Sequence, residues 1–306
     1  MLLDIKGLSY HKRIGGLFGG KVYKIIDNVG FPVSEDSSTV IYGDKYSGKY
    51  YVARMIVNLI KPTSGEVIYK GRNILKLSRS ELSEVRRKLQ LVFGDPIGLF
   101  DEGMTILGNI RWVGEIAGIK EYKQIFLTVL NTFKIPPDVL DKYPSQLSIV
   151  EKRILSIARS LILDPDVLIL ENPTMLIEWS KRDEIIRNIE LIKREYGLSI
   201  LIFTSDLKLV KSYGDYTGFL HMGRLIEYGL RGNIMENPLH PYVKWLLDQD
   251  PYIMDVEDLT DYDEHILGKY INGCRFMKCM HRMRECDDVG EYIIKGRLVK
   301  CVLYKN

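Results

Sequence analysis

The segment Gly43-Asp44-Lys45-Tyr46-Ser47-Gly48-Lys49-Tyr50 constrains this chain more than any other. It follows a predicted buried strand, Ser38 to Tyr42, and precedes apolar residues that recur at helical spacing from about Ala53 to Ile60, where Lys61-Pro62 ends the pattern. A strand, a loop of the form G-x-x-x-x-G-K and a helix are the parts from which backbone N–H groups and a helix N-terminus build a cradle for phosphate. Gly43, Ser47 and Gly48 let the loop close, and Lys49 is placed to pair with terminal phosphate oxygens. The last position departs from the pattern. Tyr50 stands where a Ser or Thr hydroxyl ligates Mg²⁺, and a phenol on a rigid ring cannot occupy that place. Taken alone, the motif also fits a strand-to-helix turn with a solvated lysine.

The surrounding pattern predicts an α/β protein. Residues 1–42 alternate apolar and polar positions with glycine breaks, which suits a small antiparallel sheet ending in the buried strand Ser38 to Tyr42. Ser64 to Arg72 reads as a hairpin turning at Lys70-Gly71, and residues 78–160 read as mostly helical. Two apolar runs, Val167 to Leu170 and Ser199 to Phe203, flank a helical stretch from Lys181 to Tyr196, a βαβ pattern that implies a parallel sheet. Between Asp248 and Glu264 there are eight acidic residues and no Lys or Arg, which marks a boundary between residues 1–247 and a tail, 248–306.

Charge excludes little: 43 basic against 40 acidic residues leaves +3, too small a surplus to imply a nucleic-acid surface. The apolar runs are strand-sized, short of the roughly 20 residues that a membrane-spanning helix needs. Met1 to Tyr10 alternates like a strand and lacks the features of a signal peptide, so a cytoplasmic location is expected. The four cysteines, Cys274, Cys279, Cys286 and Cys301, all lie in the last 33 residues. In a reducing compartment such clustering points to a metal site rather than a disulfide framework.

Downstream of the loop, Tyr143-Pro144-Ser145-Gln146-Leu147-Ser148-Ile149-Val150-Glu151-Lys152-Arg153 leads into Ile157-Ala158-Arg159-Ser160-Leu161, then Asp164-Pro165, the run Val167 to Leu170 and Glu171-Asn172-Pro173-Thr174. This order resembles the nucleotide-binding subunit of ATP-binding-cassette (ABC) transporters. His240-Pro241-Tyr242 and Gly273-Cys274-Arg275-Phe276 narrow the resemblance to the ATPase subunits of oligopeptide and dipeptide importers. It implies a RecA-like α/β core, an antiparallel β subdomain, a helical subdomain at about 95–160 and a cysteine-bearing C-terminal extension. It also implies head-to-tail dimers, each ATP lying between one subunit's phosphate loop and the other's signature sequence. Adenine is expected on an aromatic upstream of the loop, Phe18 or Tyr23, although both also suit a hairpin or a core.

Against that family pattern the chemical positions are altered while the apolar positions around them persist. The metal-holding Asp and catalytic Glu fall on Glu171 and Asn172, and an amide cannot take a proton from attacking water. The Mg²⁺-sensing Gln falls on Gly94 and the switch His on Ser205. The signature, Leu-Ser-Gly-Gly-Gln in the family, reads Leu147-Ser148-Ile149-Val150-Glu151, with β-branched bulk and a carboxylate where close approach to γ-phosphate is required. Glu151 either brings negative charge to a negative ligand or serves as a first-turn helix carboxylate. Met175-Leu176-Ile177-Glu178 replaces the family's Ser-Ala-Leu-Asp.

The spacing Cys274-x4-Cys279-x6-Cys286-x14-Cys301 suits tetrahedral Zn²⁺, an iron–sulfur cubane or buried unligated thiols, and the resemblance points to a [4Fe–4S] cluster with zinc as the alternative. Asp95 to Ile110 resembles the cleft that receives a helix of the membrane subunit, with Ile97, Leu99, Phe100 and Met104 either as apolar contacts there or as cover for the helical subdomain. The expectation is a degenerate, non-hydrolytic ATP-binding subunit, its Mg²⁺ ligation in question, at the cytoplasmic face of the membrane. Its partners are an intact ABC ATPase subunit, two transmembrane permease subunits and an extracytoplasmic substrate-binding protein, with no nucleic acid. Two alternatives remain: a slow but genuine ATPase of the same importer, and a soluble iron–sulfur interaction protein on the same scaffold.

Overall fold

The computed structural model describes residues 1–14, 21–95, 97–248 and 290–304. They fall into two compact units, one formed by Met1–Leu77 with Phe203–Asn306 and the other by Ser78–Ile202.

In the first unit, β1 (Leu3–Ile14) pairs antiparallel with β2 (Lys21–Val33) and with β4 (Ser64–Tyr69), which turns at Lys70-Gly71 into β5 (Arg72–Asn73). The strand expected to close this sheet does not belong to it. Every residue of β3 (Ser38–Gly43) is buried, so the strand has no face to give to water and needs cover on both sides. It lies parallel to β9 (Tyr216–His221), which continues through β10 (Arg224–Leu230) and β12 (Arg297–Val299) to β11 (Tyr292–Ile294) in the order β11-β12-β10-β9-β3. Residues 292–299 therefore extend the same sheet that carries the phosphate loop. Arg224 reaches Asp27 at 2.6 Å and Tyr228 Oη donates to the Pro32 carbonyl at 2.7 Å, tying β10 to β2.

The helix after the loop, α1 (Lys49–Ile56), begins at the loop lysine and stops short of the expected Ile60. Asn58 takes the left-handed conformation, φ 52°, which few residues but Asn tolerate, and the chain turns there.

In the second unit, β6 (Leu89–Val92) runs parallel to β7 (Val167–Glu171), and α6 (Trp179–Tyr196) carries the chain from β7 to its neighbour β8 (Ser199–Thr204). This is the expected βαβ crossover. The stretch read as mostly helical holds α2 (Arg79–Lys88), α3 (Ile106–Ala117), α4 (Tyr122–Thr132) and α5 (Ile149–Leu161), with β6 among them. Helix ends follow local chemistry: Ser78 and Glu81 form a reciprocal cap on α2, Thr105 caps α3, and Gly118 at φ 68° ends it. Among the described residues no helix is long and apolar enough to cross a membrane.

Candidate functional site

The phosphate loop folds around its own second residue. The Asp44 carbonyl accepts from Ser47 Oγ at 2.8 Å, from Ser47 N–H at 3.3 Å and from Lys49 Nζ at 3.0 Å. Gly43 is required because a Cβ there would collide with the Ser47 side chain, and Gly48 because the loop turns at φ 82°. Lys49 is 3% exposed, its ammonium lying 4.7 Å from the centroid of the Tyr50 ring. Tyr50 thus packs against the lysine instead of offering a hydroxyl beside it. Gly223, in the β9–β10 turn, donates to the Ser47 carbonyl at 2.9 Å and anchors the loop from a second side.

Three polar side chains that the sequence reading did not assign to the site meet beneath this loop. Asp44 is 7% exposed, and its Oδ1 accepts from the Tyr46 N–H at 3.1 Å. Its Oδ2 lies 3.3 Å from His221 Nδ1 and accepts from Tyr242 Oη at 3.4 Å. The His221 and Tyr242 rings stack at 4.2 Å. Tyr242 is the second residue of α9 (Pro241–Leu247), whose N-cap His240 accepts the Tyr242 N–H on Nδ1 at 3.1 Å. His240 is held in turn by Glu227, fully buried, which accepts from the Leu239 and His240 N–H groups and lies 3.6 Å from Arg297. Burial raises the Glu227 pKa; the two N–H groups and Arg297 oppose the rise.

The His240 pKa is pushed down to about 3, by burial first and then by His221, with the Lys300 backbone acting the other way. Its unfolded value is about 6.5, so the stability it contributes is whole above that pH and is lost as pH falls toward 3. We expect His240→Asn, which keeps a cap acceptor but cannot titrate, to flatten part of the fall in unfolding midpoint between pH 7 and pH 4. An equal acid slope in both proteins would rule this out.

Ser205 lies half-buried after β8 and before Asp206, which caps α7 (Leu207–Ser212). Tyr23 is half-buried in β2 opposite Lys12; Phe18 lies outside the described residues.

In the second unit Glu171 ends β7 at 2% exposure and Asn172 follows at φ 38°, accepting from the Met175 N–H at 2.9 Å. Gly94 lies against this strand end: a Cβ at 94 would stand 3.1 Å from the Glu171 carbonyl oxygen. Both Phe93 and Gly94 carbonyls accept from Arg153, which projects from α5 and is 1% exposed. Burial lowers the Arg153 pKa to about 10, against the pull of Asp95. In the sequence Arg153 stands only as the last residue of the signature segment, with no role assigned to it.

At the signature, Ser148 N–H and Oγ both donate to Glu151 Oε2, at 2.8 and 2.7 Å, and Glu151 N–H donates to Ser148 Oγ at 3.2 Å. Of the two roles open to Glu151, the carboxylate takes the helix-capping one and covers the α5 N-terminus. Ile149, Met175 and Leu176 are exposed. Of the two roles open to Leu99 and Phe100, their burial, 6% exposed each with Phe100 beneath the Arg159 guanidinium, fits cover for this unit. On α3, Trp112 and Ile116 are also exposed and line a cleft of about 280 Å³ with Arg86, Arg87 and Gln90. Among the described residues no group of His, Cys, Asp and Glu is arranged to hold a metal ion. Cys301 is buried; Cys274, Cys279 and Cys286 lie outside the described residues.

A glycine-closed loop between a buried strand and a helix, its lysine folded inward, in the first unit and a βαβ crossover in the second are the parts of a phosphate-loop nucleotide-binding cassette. The family model described as ABC transporter matches residues 26–175, and that described as oligopeptide/dipeptide transporter, C-terminal region, matches residues 226–286. The putative oligopeptide transport ATP-binding protein YkfD of Bacillus subtilis is 32% identical over 321 residues, spanning 100% of this chain and 96% of that protein. The oligopeptide transport ATP-binding protein OppF of the same organism is 30% identical over 255 residues, 82% of each chain. In fold, the chain is similar to the dimeric ATP-binding cassette MJ0796 in a post-hydrolysis state with ADP and Pi, with a TM-score of 0.66 and 21% identity over 75% of this chain and 99% of that one. It is also similar to cbiO1 from Clostridium perfringens, with a TM-score of 0.67 and 23% identity over 77% and 91%. The chain belongs to the oligopeptide/dipeptide branch of the ABC transporter ATP-binding proteins.

Proposed function

We propose that this chain is a non-hydrolytic ATP-binding subunit of a peptide-type ABC importer. The observation that carries the reading is Asn172: the residue following the buried Glu171 at the β7 end offers an amide, which cannot accept a proton from water at neutral pH. Gly94 beside it carries no side chain to sense Mg²⁺, and Tyr50 covers Lys49 where a hydroxyl ligand would stand. The phosphate loop keeps its glycines and its lysine, so binding of ATP is retained while turnover is lost. On this reading an intact ATPase subunit completes the dimer at the cytoplasmic face of the membrane, alongside two permease subunits and an extracytoplasmic binding protein. The cleft at Trp112 and Ile116 supports the permease contact, since exposed apolar side chains beside Arg86 and Arg87 suit an amphipathic helix.

The four tail cysteines form a set whose chemistry fits a [4Fe–4S] cluster, with zinc as the alternative; Cys301, buried near the chain end, is the member inside the described fold. Iron and acid-labile sulfide on anaerobically purified protein, against zinc by mass spectrometry, separates the two.

The test of the main reading compares wild type with Lys49→Ala. Removing the ammonium is expected to weaken binding of a fluorescent ATP analogue by roughly 10- to 100-fold, the scale of a lost charged hydrogen bond. Phosphate release is expected at background in both. Release that depends on Lys49 would establish slow hydrolysis through Glu171 instead. Affinity purification from native membranes should return two multispanning proteins and a second, intact ATPase.

A further inference from the structure

The sequence places a carboxylate at Asp44, inside a loop built to receive phosphate, where free negative charge opposes the ligand. The fold deals with this charge by turning it inward. Asp44 is buried; Oδ1 faces the Tyr46 N–H, and Oδ2 faces His221 and Tyr242 at 3.3 and 3.4 Å. Asp44 is also the residue whose backbone carbonyl receives Lys49 Nζ at 3.0 Å and Ser47 Oγ at 2.8 Å. Whatever holds its side chain therefore also fixes the position of the lysine. Tyr242 is well supported for that task. Its ring stacks on His221, its N–H is capped by His240, and the preceding loop is pinned by Glu227 and by Tyr304 Oη on the Leu239 carbonyl at 3.0 Å.

We propose that Tyr242 and His221 are positioning residues for nucleotide, which hold the Asp44 carboxylate away from the phosphates and keep Lys49 set to meet them. Neither touches nucleotide; both act through Asp44. The inference rests on the nucleotide-binding reading above.

The experiment titrates the full chain with a fluorescent ATP analogue and Mg²⁺, using wild type, Tyr242→Phe, Asp44→Asn and the double variant. Tyr242→Phe keeps the stacked ring and removes only the hydroxyl, and is expected to raise Kd about three- to tenfold. In the Asp44→Asn background the same change is expected to have less than a twofold effect, because its means of action is gone. The ¹⁵N resonances of the His221 ring are expected to move on addition of analogue to wild type and to stay fixed in Asp44→Asn. Unfolding midpoints measured alongside show whether each variant is folded. Wild-type binding that Tyr242→Phe leaves within twofold, or weakens equally with and without Asp44, overturns the inference alone. No binding by wild type overturns the nucleotide-binding reading, and the inference with it.

Discussion

Arg153→Ala is expected to destabilise residues 78–202 by about 3–5 kcal/mol, the cost of leaving buried polar partners unmatched and a large void unfilled. Arg153 is almost wholly buried and its two terminal nitrogens donate to consecutive carbonyls, Phe93 and Gly94, at the turn after β6. Truncation strands both acceptors and opens the space that the side chain fills. Lysine keeps the charge but cannot bridge two carbonyls from one plane, so Arg153→Lys should recover only part of the loss. Thermal unfolding followed by circular dichroism, with limited proteolysis mapping cuts near residue 94, checks both. An alanine variant as stable as wild type would show that the turn is held by other means.

Glu227→Leu should have a comparable effect, also about 3–5 kcal/mol, because it leaves the Arg297 charge buried without its counter-ion and strips the Leu239 and His240 N–H groups of their acceptor. Glu227→Gln keeps an acceptor oxygen for the two N–H groups and should cost less. The comparison separates backbone anchoring from charge balance. If Gln is as damaging as Leu, the ion pair with Arg297 dominates. Arg297 also donates to the Asn233 and Asn237 carbonyls at 2.9 and 2.7 Å, so part of its burial is met without Glu227. That sets the upper end of the expected loss.

Features written locally in the sequence were legible. The loop from Gly43 to Lys49, the turn at Lys70-Gly71 and the β7–α6–β8 crossover each follow from neighbouring residues, through glycine placement, turn chemistry or a switch of hydrophobic period. The partnership of β3 was not, since a strand buried along its whole length carries no polar–apolar alternation to say which sheet covers it. The network under the phosphate loop was hidden for a different reason. Asp44 meets His221 and Tyr242 across 177 and 198 residues of chain, and no spacing rule connects them. Arg153 looked like one more basic residue on a charged helix; only the fold shows that its face of α5 points inward. Glu151 was legible to the point of two alternatives, and the capping box with Ser148 chose between them.

The closeness of Gly94 to the Glu171 carbonyl bears on how this chain can change over generations. A side chain introduced at 94 meets that oxygen at 3.1 Å, a separation at which the strand end must give by a few tenths of an ångström. A Gln there therefore begins with a packing cost before any metal can reward it, and a Glu at 172 gains little while 94 stays bare. On the proposed non-hydrolytic reading, neither step back toward hydrolysis is rewarded until the other has been taken, so that such a loss works as a ratchet that steers a lineage toward a catalytically complete partner.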